Sequence, residues 1–169
     1  MKNIFLLFVL AAMTVACGGK EPSGSTMPEW VMTPPDLCGV GIQKLRGNIQ
    51  AAKDLAAARG RTSLSRQIET KVKSMIKSYN AEGGNADGDI SEEMSKMASV
   101  NLSKTTLNGS IPKKNAKDDE NWYTLVCLNP GVLSSAISNM KQLSNAQRKA
   151  LERRAKQAHE DLEKQMENY

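Results

Sequence analysis

The chain has 169 residues, 40% hydrophobic and 24% charged, with a formal net charge of +5. That balance excludes a disordered chain and one embedded in a membrane along its length. A pI near 9.1 raises nucleic acid as a partner, but an aromatic content of 4% leaves few rings for base stacking. No nucleic acid is therefore expected. Both phenylalanines, Phe5 and Phe8, fall in the first ten residues, so the remaining core must be filled by Ala, Val, Ile, Leu and Met.

Lys2 and Asn3 give a short positive start, and residues 4–13 form an apolar run. Such a run of about ten residues suits an export signal and is too short to span a bilayer. Thr14-Val15-Ala16-Cys17 then reads as a lipobox: small residues fit an extended backbone into the signal peptidase, and the Cys17 thiol takes the diacylglyceryl group. Thr14 departs from the branched aliphatic residue usual at that position. The competing reading is an ordinary signal peptide with an incidental cysteine. Each buried acyl methylene contributes about 0.8 kcal/mol, so two or three chains on Cys17 hold a protein durably where one does not. Gly18, rather than Asp, favours transfer to the outer membrane by the common retention rule. The expected organisation is a signal peptide over 1–16, a Gly/Ser-rich tether over 17–27 and one domain over 28–169, a size that suits a single core.

The prolines at 28, 34 and 35 predict an extended entry segment. Residues 38–42 read as a first strand; Gly39 and Gly41 lack the third glycine and the lysine of a phosphate loop. A helix is expected from about 43 to 66, its inner face carrying Ile49, Ala52 and Ala56, with Gly60 a weak point. Residues 68–76 then alternate, which predicts a strand with one wet face; the same residues also fit a continued helical stripe. Residues 82–88 form a loop. Asn85, Asp87 and Asp89 hint at a calcium site, but neither alignment of that loop supplies the full ligand spacing. Asp89 with Glu92 predicts a capping box opening a helix to about 104, with Ile90, Met94, Met97 and Leu102 inward.

Residues 107–111 and the lysines after them read as a strand or an arm, and residues 122–128 carry the strongest strand signal. Asn129 and Pro130 predict a helix start, with Val132, Leu133, Ala136, Ile137 and Met140 on its apolar face. Ser144 begins a long charged helix to about 167. Its narrow apolar stripe, Leu151, Ala155, Ala158, Leu162 and Met166, suits docking along the domain or pairing with another helix.

His159 stands alone on the charged last helix, and no nucleophile elbow or zinc spacing accompanies it. No catalytic, cofactor-binding or metal-ligating residue is therefore expected. With Cys17 lipidated, Cys38 and Cys127 remain as an even pair in an oxidising compartment. If their strands are neighbours, a bridge closes a loop of about 90 residues and contributes about 4 kcal/mol; two separate buried thiols are the alternative.

Pro28-Glu29-Trp30-Val31, Cys38-Gly39-Val40-Gly41, the alanine-rich helix ending Ala58-Arg59 and the stretch from 64 to 74 resemble the Lpp-twenty lipoprotein family. The strand over 122–128, the Pro130 helix and Leu143-Ser144 resemble that family's second half, so the likeness covers about residues 28–165. The Cys38/Cys127 pair, Gly60 and the Asn/Gly loop at 83–88 depart from it. The resemblance implies an α+β domain, a small mainly antiparallel sheet covered by helices, on an outer-membrane or surface lipoprotein, some relatives serving the flagellar apparatus. It carries over no catalytic residues. The resulting expectation is a non-enzymatic envelope lipoprotein anchored through Cys17, with partners or a second copy met through the last helix. The alternatives are a ligand-binding or thiol-dependent enzyme-like module with Cys38 or Cys127 reactive, and a module binding anionic cell-wall polymer through Lys113, Lys114, Lys117 and the basic start of the last helix.

Overall fold

The structure, a computed structural model, describes residues 27–84 and 88–169. Cys17, the signal segment and the tether up to residue 26 lie outside the described residues, as do Asn85 and Asp87 of the loop weighed for calcium. The elements run α1 (Glu29–Met32), β1 (Cys38–Lys44), α2 (Ile49–Ala81), α3 (Glu92–Leu107), β2 (Ser110–Lys117), β3 (Asn121–Leu128), α4 (Val132–Ser138) and α5 (Asn145–Glu167). Helices cover a small antiparallel sheet, an α+β architecture.

Among the described residues the sheet has three strands in the order β1-β3-β2, both pairs antiparallel. The apolar run of β3 explains its central place, because residues 123–128 are buried on both faces. β2 is an edge strand, which accommodates Pro112 beside a register shift between Pro112 and Lys114. The entry segment is not extended throughout: Glu29–Met32 turn once as helix and bury Trp30.

The chief correction concerns residues 68–76, which are helix rather than strand. α2 runs unbroken for 33 residues, about 50 Å at the usual rise. Its buried positions, Leu64, Ile68, Val72, Met75, Ile76 and Tyr79, follow the helical stripe. The polar residues that suggested alternation pair along the helix instead, Lys73 lying 2.7 Å from Glu69 one turn earlier. The helix also starts later than expected, because β1 continues to Lys44 and Asn48 caps α2 by accepting from the Ala51 amide at 3.1 Å. Ile49 and Leu55 are consequently exposed.

α3 is capped by Ser91, which accepts from the Met94 amide at 3.2 Å, and not by Asp89. The chain before it is fixed by Asn80, whose side chain both accepts from the Ile90 amide and donates to its carbonyl. Ile90 and Leu102 are buried as expected, whereas Met97 is exposed. α4 begins at Val132 after Gly131 at φ 76°, later than the Asn129-Pro130 start. α5 starts at Ser144 with a full capping box to Gln147. The first half of α2 lies on β1, while α3 packs on α2 through Ser65 and Ser103, whose hydroxyls are 2.6 Å apart. α5 runs back along the domain: Arg154 pairs with Glu82 past the end of α2, and Gln165 accepts from the Asp36 amide at 2.9 Å.

Candidate functional site

Cys38 and Cys127 face each other across the β1–β3 register and are joined by a disulfide. Both are sealed from solvent, at 0% and 1% exposure. The bridge ties the chain's first strand to its central strand across 89 residues. Neither sulfur is a free thiol while it stands, which removes the basis for a thiol nucleophile at either position.

His159 lies where two hollows meet. α4 and α5 leave a groove of about 680 Å³ between them, with Leu133 and Ala155 as floor, Pro130, Gly131 and Ser134 on one side and the charged face of α5 on the other. Past His159 and Pro130 a smaller hollow of about 360 Å³ continues toward Cys127, Leu162 and Met166. Burial pulls the His159 imidazole below its ordinary value; Glu163 works against that shift and Lys113 adds to it. That lowering favours the neutral imidazole.

A neutral imidazole is a base, but a base needs a partner within hydrogen-bond reach. Ser134 lines the same groove, yet its side chain makes no bond to His159. Among the described residues no trio of His, Cys, Asp or Glu is grouped to hold a metal, and no helix is long and apolar enough to cross a membrane. Lys114 sits 5.8 Å from the centroid of the Tyr169 ring, and Lys113 lines the smaller hollow with Glu163 and Glu167. All three lysines singled out in the sequence lie on the edge strand β2, Lys113 and Lys114 beside the end of α5 and Lys117 at the strand's far end opposite Trp122.

A third hollow of about 440 Å³ lies at the other side of the entry segment, where Lys71 pairs with Asp36 at 2.6 Å. The sequence does not reveal the groove, because Asn129-Pro130 reads as a helix start where the structure has an open turn through Gly131, with α4 beginning only at Val132. The charged positions of α5 that line it were visible as charge alone. No family model matches the chain, and no curated protein is significantly similar to it. The likeness to the Lpp-twenty lipoproteins rests on the motifs quoted above.

Proposed function

We propose that the protein is a non-enzymatic lipoprotein of the bacterial outer envelope, fixed to the membrane by acyl chains on Cys17. It works by presenting a stiff domain to a protein partner. The observation that carries this reading is the sequence Thr14-Val15-Ala16-Cys17 at the end of an apolar run, followed by a Gly/Ser tether. The resemblance to the Lpp-twenty family points the same way and extends the proposal to a flagellum-associated role.

The domain suits such a task. A disulfide and a 33-residue helix stiffen it, and a groove of about 680 Å³ opens on the charged helix α5. In this reading the groove serves to bind a partner.

Intact-mass analysis of the protein taken from the membrane fraction tests the anchor. The expected product begins at residue 17 and carries two or three acyl chains. A product starting elsewhere, or with residue 17 unmodified, would remove the basis of the proposal. Cys17→Ser is expected to abolish that acylation and with it the mature, membrane-extracted form.

A further inference from the structure

One stripe along the outer face of α5 carries Lys149, Arg153, Lys156, Glu160, Glu163 and Glu167, stepping by four and three in turn. All six are exposed. Three bases are followed by three acids, an order that is unfavourable along the stripe itself and is offset within the helix only by Glu152 and Lys164 beside it. Four of the five successive neighbours along the stripe have like charge, and such pairs destabilise a helix. The blocks also oppose the helix dipole, which favours acids at the amino end and bases at the carboxyl end. The first turn holds no acid. Among the described residues none of the six belongs to an ion pair.

Reversed end for end, the stripe complements itself. With the centre at Ala158, position 149 meets 167, 153 meets 163 and 156 meets 160, each a base against an acid. Glu152 and Lys164, beside the stripe, obey the same pairing. A parallel arrangement sets like on like at every position. We propose that α5 is the interface of an isologous homodimer, two copies of this helix lying antiparallel about a two-fold axis near Ala158.

The groove beside the stripe receives the aliphatic stems of the partner's long side chains over Leu133 and Ala155. A foreign protein would need the mirrored charge order in register, and this chain already has it. Exposed ion pairs are individually weak and screened by salt, so the dimer is of modest affinity and salt-sensitive. Anchoring of both copies to one membrane, which rests on the Cys17 reading, would raise their effective concentration; the pairing itself does not require it.

Two triple variants of the full chain test this by sedimentation velocity in mild detergent: Lys149→Glu/Arg153→Glu/Lys156→Glu, and Glu160→Lys/Glu163→Lys/Glu167→Lys. The unaltered chain is expected to dimerise reversibly at low salt, with affinity falling about tenfold or more on adding salt near the physiological range. Each variant alone should be monomeric, and an equimolar mixture should associate again. A monomeric unaltered chain, or a mixture that stays monomeric, overturns the proposal. Cross-linking with a short bis-maleimide gives a second readout on a nearly intact stripe. Lys156→Cys should link to its own copy, since the two sites lie about 6 Å apart along the axis, whereas Lys149→Cys, offset by about 27 Å, should not. Equal linking at both positions also overturns it.

Discussion

Gly41 and Ala56 touch backbone to backbone: a Cβ placed on Gly41 would lie 1.8 Å from the Ala56 carbonyl oxygen. Gly39 makes the same approach one pair earlier, where a Cβ would lie 2.2 Å from the Leu64 amide nitrogen. At these two positions strand β1 has no side chain between itself and α2, and the alanine-rich face of the helix rests on the strand's own backbone. The obstacle in each case is main chain, which cannot swing aside. Gly41→Ala and Gly39→Ala are each expected to destabilise the fold by about 3 kcal/mol or more, the upper end of the overpacking range. Urea unfolding at neutral pH measures this, and a loss below about 1 kcal/mol would mean that the helix shifts freely on the strand.

The disulfide prediction concerns the unfolded chain more than the folded one. Closing a loop across 89 residues stabilises by about 4 to 5 kcal/mol in the chain-entropy model. Cys38→Ala/Cys127→Ala is expected to lose about that much, plus a smaller packing contribution at two buried positions. Because both sulfurs are sealed from solvent, the folded protein should also resist reductant until it opens. Reduction followed by thiol labelling should therefore accelerate with added urea. Labelling at full rate in the folded protein would place the bridge at the surface.

What the sequence made legible follows from signals that act locally. Ser144 with Gln147, the Trp122 to Leu128 strand and the step of four and three in α5 each specify their element without help from distant residues. Residues 68–76 carry two periods at once, and only packing decides between them. The helical stripe of Ile68, Val72, Met75 and Ile76 prevails because Leu64 and Tyr79 continue it on either side, extending burial over more residues than a nine-residue strand would use. Gly60 shows the same dependence. By propensity it weakens α2, yet a Cβ there would meet Val126 at 2.7 Å and the Gly39 carbonyl at 3.2 Å. The glycine is demanded by a strand 66 residues further on, and nothing near it in the sequence says so. The groove was hidden for a related reason, since its walls come from α4 and α5 and its outlet from β3.

Asp118 and Tyr123 close the β2–β3 turn and set its acid response. Tyr123 Oη donates to Asp118 Oδ2 at 2.6 Å, while Oδ1 accepts from the amides of Glu120 at 2.8 Å and Asn121 at 2.6 Å. The Tyr123 bond first, then those amides, hold the Asp118 carboxyl below its ordinary value of 3.8. A carboxyl lowered in the folded state stabilises above its unfolded value and loses that contribution as pH falls through the folded one. Tyr123, whose hydroxyl is held above its ordinary 10.0 chiefly by the same bond, keeps its contribution until pH rises through that raised value. Tyr123→Phe should bring the Asp118 carboxyl back toward the ordinary range in an NMR titration. The stability gap to the unaltered chain should be full at pH 7 and shrink below about pH 4. A gap that does not change with pH would assign the bond no part in the acid response.

His159 is also acid-sensitive but for the opposite reason, since here burial disfavours the charged form. The imidazole is pulled below 6.5 mainly by burial against α4 and β3, with Glu163 from its own helix opposing and Lys113 from β2 assisting. The folded state therefore binds a proton less readily than the unfolded chain. Its contribution is present above the unfolded value and disappears as pH falls through the folded one, a window that opens at about pH 6.5 and extends downward. His159→Gln should flatten the stability profile between pH 7.5 and pH 5, read by urea unfolding at each pH. Lys113→Ala should raise the ring's titration midpoint without restoring it to 6.5, because burial, the larger cause, is left in place. A midpoint that returned fully on removing Lys113 would make charge, not burial, the cause.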